Sequence, residues 1–183
     1  MDFLDFDGKD LYFDSPTSKE VEDLINKASI LYPDEKAELC LLRCFLAEPE
    51  NLSVHVSLYR YYYYKHDYVA ALKVAERTLE SAGKALGYLG NWKDMTEGNL
   101  MRGLLVSMGL TRYYMHALKA SAYVLMRIDD LQQAVQRLEK VNEMDTENQF
   151  GAEELLQIAR RRLREIEIEN HEADNVSTLS SYR

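Results

Sequence analysis

Six consecutive positions, Tyr59-Arg60-Tyr61-Tyr62-Tyr63-Tyr64, carry five tyrosines and one arginine. Phenol rings beside a guanidinium stack, hydrogen-bond and pair with anions, which is the chemistry of a binding hot spot and not of bond cleavage. The groups that could break bonds are dispersed. Cys40 and Cys44 lie four residues apart on a helical pattern, hence on one face. A disulfide there would strain the helix, and zinc would need two further ligands. His55, His66, His116 and His171 supply no ligand pair. The two thiols therefore read as small buried apolar side chains, reduced as in a cytoplasmic protein.

No phosphate-binding loop is present, because Gly83-Lys84-Ala85-Leu86-Gly87 lacks both the spacing and the Lys-Ser/Thr ending. Neither HExxH nor GxSxG occurs. Glu153-Glu154 and Glu165-Ile166-Glu167-Ile168-Glu169 have the pattern of solvated helix faces. Arg160-Arg161-Arg162-Leu163-Arg164 spans little more than one turn, so its charges splay around the helix and should pair with neighbouring Glu. We expect no catalytic residues, no metal and no cofactor.

The bulk properties agree. The 183 residues are 46% hydrophobic and 29% charged, enough for one domain with a real core. Lys and Arg total 22 against 31 acids, a net charge of −9, which disfavours nucleic acid and anionic lipid as partners. The longest apolar runs fall far short of the ~20 residues of a membrane span. The opening stretch is acidic where a secretory signal would be basic. The expectation is a soluble cytoplasmic chain.

The elements that must position the tyrosines are helices throughout. Ser18 stands as N-cap before a stripe of Val21, Leu24, Ile25, Ala28 and Leu31. Pro33-Asp34 breaks the chain before a second helix with Ala37, Leu41, Cys44 and Phe45 on one face, ending at Glu48-Pro49. A third helix is predicted over 52–64 and a fourth from Val69 to about Leu86. Glycines at 87, 90 and 98 surround the only tryptophan, Trp92, and interrupt the pattern. A short helix over 100–108 is weakened by Gly103 and Gly109, and periodicity returns at 114–128, 131–144 and 151–168. Residues 170–183 are polar and predicted to be a disordered tail.

Short turns between helices invite a search for a repeat. Ala37 and Ala71 are 34 residues apart, and Ala71 and Ala134 are 63 apart, one such period plus an insertion of 29. The units are 18–51, 52–85 and 115–148, with the insertion at 86–114 and a capping helix at 151–168. His55, Leu58, Tyr59, Tyr62, Ala71, Ala75 and Thr78 of the middle unit resemble the tetratricopeptide pattern. So do Leu118, Ser121, Ala122, Leu125, Ala134, Leu138 and Val141 of the last. The first unit follows more loosely through Val21, Leu24, Ile25, Ala28, Ala37, Leu41, Cys44 and Pro49. Tyr59 stands where that family has a small residue, and Pro33 where it has a turn residue.

This resemblance covers about 102 of the 183 residues. It implies an all-α, right-handed superhelix of antiparallel helix pairs over 18–169. The chain is also similar to small bacterial tetratricopeptide proteins found near nitrogen-fixation genes. In the family the first helix of each pair lines a concave groove. The resemblance assigns Ser53, Val56, Ser57, Arg60, Tyr63 and Tyr64 to that groove from the middle unit. His116, Lys119, Ala120, Tyr123, Met126 and Arg127 join them from the last. The partner-binding residues expected are Ser57, Arg60, Tyr63, Tyr64, Lys119, Tyr123, Met126 and Arg127. The carboxylate clamp of chaperone-tail binders cannot be assembled, because Glu22, Asp23, Val56 and Ser57 occupy its positions.

The function expected is a non-catalytic interaction module that holds a peptide segment of a partner protein. An alternative is a cytoplasmic chaperone of the type III secretion class, although those repeats run uninterrupted. An enzyme with a site built by the insertion is a third reading. Residues 1–17 alternate acids with aromatics: Asp2, Phe3, Asp5, Phe6, Asp7, Asp10, Tyr12, Phe13 and Asp14. The aromatics resist solvation and the aspartates resist burial. The segment should therefore lie along its own scaffold, near cations such as Arg60 and Lys119, or dock on a twin to give a homodimer.

Overall fold

The structure, a computed structural model, describes residues 17–180 and the side chains of 17–169. The acidic aromatic segment up to residue 16 and residues 181–183 lie outside the described residues. Among the described residues every regular element is helical. They are α1 (Lys19–Leu31), α2 (Glu35–Ala47), α3 (Leu52–Tyr64), α4 (Tyr68–Ala85), α5 (Glu97–Val106), α6 (Met108–Arg127), α7 (Leu131–Met144) and α8 (Glu153–Ser180).

Local sequence explains where the helices start. Ser18, Asp34, Asn51, Asp67, Ser107 and Asp130 each cap a helix by accepting a backbone N–H in its first turn. Asn51 does more than cap. Its Oδ1 accepts from Ser53 N at 2.9 Å, while its Nδ2 donates to Thr17 Oγ1 at 3.1 Å. The backbone N–H of Ser18 in turn donates to Glu48 Oε1 at 3.1 Å. The chain thus enters α1 tied to the start of α3.

Consecutive helices pack as pairs, α1 with α2, α3 with α4 and α6 with α7. The pairs stack through α2 on α3 and α4 on α6, and α8 closes the far end on α7. Small residues let the paired axes approach: Ala37, Ala71, Ala75 and Ala134 are all fully buried. The apolar interior divides in two. The larger cluster runs from Tyr59 through α4, α6 and α7 to Ala159, and the smaller joins α1, α2 and one face of α3. Tyr62 and Val74 pack against both.

The insertion is folded. Gly87, at φ +75°, ends α4, and a short 3-10 turn at Trp92–Asp94 leads into α5, which packs on α6. Gly103 does not break α5. A Cβ there would stand 3.0 Å from Thr111 Oγ1, so the glycine permits the close approach of α5 to α6. Ser107 caps α6, whose helix begins six residues before the periodicity expected from 114 onward.

At the other end α8 continues to Ser180, through most of the polar segment expected to be a disordered tail. No Pro or Gly interrupts 153–180, so helical hydrogen bonding meets no local stop.

Candidate functional site

Four residues of α3 at helical spacing, Ser57, Arg60, Tyr61 and Tyr64, share one face. Ile25, Ala28, Ser29 and Tyr32 make the matching face of α1 and its C-cap. Between these faces, with Leu41 of α2 completing the lining, lies a cavity of about 490 Å³. That volume suits a few large side chains or a small molecule. Tyr61 is buried and meets Tyr32 edge to face, with ring centroids 6.2 Å apart. Burial, reinforced by the nearby Glu38 carboxylate, pushes the Tyr61 phenol above its ordinary pKa, so it is a neutral donor. Ser57 Oγ is turned back onto Ser53 O at 2.9 Å. Arg60 is exposed and makes no hydrogen bond or ion pair with any described residue.

A ribbon of rings continues from this cavity across the helix pairs. Tyr64 meets Tyr63 at 5.6 Å, and Tyr63 meets Tyr68 at 5.9 Å and Tyr123 at 6.2 Å. Arg127 closes the ribbon. Its Nη2 donates to the Tyr68 hydroxyl at 2.9 Å, and its guanidinium lies 5.0 Å from the centroid of the same ring. That hydrogen bond favours the charged form and raises the pKa of Arg127 further. No described carboxylate pairs with Arg127. Six of the eight expected groove residues are brought together in this way: Ser57, Arg60, Tyr63, Tyr64, Tyr123 and Arg127.

Lys119 and Met126 meet other neighbours. Lys119 Nζ donates to the carbonyl of Phe150 at 2.6 Å, anchoring the α7–α8 connection beside α6. Met126 is buried, and its carbonyl accepts from Arg162 of α8 at 3.1 Å. From α6 the two positions thus meet the closing segment, Lys119 through Phe150 and Met126 through Arg162. Sequence reasoning missed Tyr32, Tyr61 and Tyr68. The first two continue the i, i+3, i+4 stripes of α1 and α3, a signal that was present. Tyr68 opens α4, outside the positions the repeat assigns to a groove.

Arg160 pairs with Glu139 and Arg162 with Asp129, at 2.7 and 2.6 Å. Cys40 and Cys44 are buried and free, and burial raises the pKa of Cys44. Among the described residues no three His, Cys, Asp or Glu gather as a metal set. No helix among them is long and apolar enough to cross a membrane.

Over 166 residues the chain is 39% identical to the "Uncharacterized 19.8 kDa protein in nifW 5'region" of Azotobacter chroococcum mcd 1. The match covers 91% of this chain and 93% of that protein. The resemblance to proteins found near nitrogen-fixation genes is met by this relative. No family model matches the chain, and no solved structure matches it.

Proposed function

We propose that this chain, which belongs to the family of that Azotobacter chroococcum protein, is a non-catalytic module of tetratricopeptide-like helix pairs that binds a peptide segment of a partner protein. The observation that carries the reading is the cavity between α1 and α3, lined by Tyr32, Tyr61 and Tyr64 with Arg60, which has no ion-pair partner among the described residues, beside them. Aromatic rings held by a rigid scaffold lose little conformational entropy when a ligand packs on them. A guanidinium with no carboxylate partner among the described residues supplies attraction for an anionic group.

The ligand chemistry follows from the lining. One or two apolar or aromatic side chains would fill the cavity, and a carboxylate nearby would meet Arg60. A longer segment would continue over Tyr63 and Tyr68 toward Arg127. The cytoplasm is the compartment this reading assumes.

The test is capture of partners by the wild-type chain and by an Arg60→Glu, Arg127→Glu variant, followed by calorimetric titration of the purified partner. Affinity should fall more than tenfold, since charge-assisted contacts contribute about 1.5–3 kcal/mol each. Equal affinity for both proteins would remove the groove as the binding site.

A further inference from the structure

The chemistry that suits the cavity is also present in the chain itself. Residues 2–14 hold Phe3, Phe6, Tyr12 and Phe13 interleaved with five aspartates and a single lysine. The structure fixes where this segment departs. Thr17 is hydrogen-bonded to Asn51, the N-cap of α3, and Ser18 to Glu48. The segment therefore leaves from the same end of the α1–α3 groove at which both helices begin.

Length decides what it can reach. Asn51 and Arg60 are nine residues apart on α3, about 14 Å at 1.5 Å per residue. Four extended residues, from Thr17 back to Phe13, span about 13 Å. The segment thus has the length to bring position 13 level with Arg60 and the Tyr61 ring. Sixteen extended residues reach about 53 Å, ample to continue over Tyr63 toward Arg127. Charge agrees as well as length. The segment is strongly acidic, and Arg60 and Arg127 have no carboxylate among the described residues.

We infer that the α1–α3 groove is the docking site of the chain's own residues 1–16, with Phe13 entering the cavity and the neighbouring aspartates facing Arg60. This rests on the groove being the ligand site and adds its regulation. A segment tethered this closely acts at an effective concentration in the millimolar range. A partner peptide must displace it, so only a ligand of matching chemistry and higher intrinsic affinity gains the groove.

The test uses the full chain with Phe13 replaced by p-benzoylphenylalanine, irradiated in dilute solution and mapped by mass spectrometry. A second chain carrying the same probe at the exposed Leu105 position gives the background. The expected adducts lie within one chain, on 25–32 or 57–64. Their yield should fall at least fivefold in Arg60→Glu and in Asp10→Asn/Asp14→Asn, the latter leaving every described contact intact. Adducts between chains would overturn the inference in favour of a second copy, and adducts at background level would overturn it outright. If Arg60→Glu weakens the partner while Phe13 adducts avoid the groove, the binding reading stands and this inference alone fails.

Discussion

The guanidinium of Arg137 lies 5.2 Å from the centroid of the Trp92 ring, and its Nη2 holds Glu76 Oε1 at 2.7 Å. Arg137 is only 3% exposed, so α7, α4 and the insertion meet at one buried cation. Nε and Nη1 of Arg137 find no hydrogen-bond partner among the described residues. The indole face is thus a main compensation for desolvating this charge.

Removing that face should therefore be costly. Trp92→Ala is expected to lower stability by about 2 kcal/mol, combining a desolvated cation–π contact with lost apolar burial. Trp92→Phe should restore part of the loss. Urea unfolding followed by far-UV circular dichroism measures both, and a silent Trp92→Ala would mean that the insertion does not stabilise α7.

His55 gives the fold a dependence on pH. It is fully buried, and its Nε2 lies 2.8 Å from the carbonyl of Pro49, so Nε2 carries the proton. Nδ1 has no partner among the described residues. Burial holds the pKa of His55 below the ordinary value, with Arg77 acting in the same direction and Pro49 and Glu50 opposing. The unfolded chain then binds a proton first as pH falls. The contribution is complete above about pH 6.5 and is lost progressively below it, by up to ~1.4 kcal/mol per pH unit until the folded-state pKa is reached. Denaturation at pH 7.0 and 5.5 should show this loss in the wild type and much less of it in His55→Gln, which keeps a donor for Pro49.

Two neighbouring tyrosines separate binding from stability. Tyr64 is 39% exposed on the cavity rim, whereas Tyr61 is 6% exposed and packed against Tyr32. Tyr64→Ala should weaken partner affinity at least tenfold and leave the melting temperature nearly unchanged. Tyr61→Ala should destabilise by about 3 kcal/mol through the cavity it leaves. Thermal melts beside binding isotherms read the contrast.

Ala134 tests the close approach of α6 and α7. Ala134→Leu forces a branched side chain into a fully buried contact and should cost about 1–3 kcal/mol. Ala85→Leu, at the exposed end of α4, is the control. Equal unfolding midpoints would contradict a tight α6–α7 pair.

What the sequence made legible were features written locally. The bounds of α3 at 52–64 follow from Asn51 and the apolar stripe, and Ser18 caps α1 as its type and place suggest. The 34-residue spacing of Ala37 and Ala71 anticipates two equivalent helix pairs, and both alanines are fully buried. Long-range partners were not legible. Nothing in the pattern of α7 announces that Arg137 is buried under Trp92. Gly103 reads as a helix breaker until Thr111 is seen packed against it. Lys119 has a groove position, but its destination depends on Phe150, 31 residues further on.

The division of the apolar interior has a thermodynamic corollary. The smaller cluster joins α1 and α2 to the rest through α3, and the cavity lies within that seam, with walls from both sides. Opening of the first pair is therefore a sub-global event, cheaper than unfolding the whole chain. A ligand lodged between α1 and α3 binds only the closed form. Its binding energy becomes protection for the amides of α1 and α2, while the last pairs gain little. Occupancy of the groove would thereby be converted into local rigidity of α1 and α2.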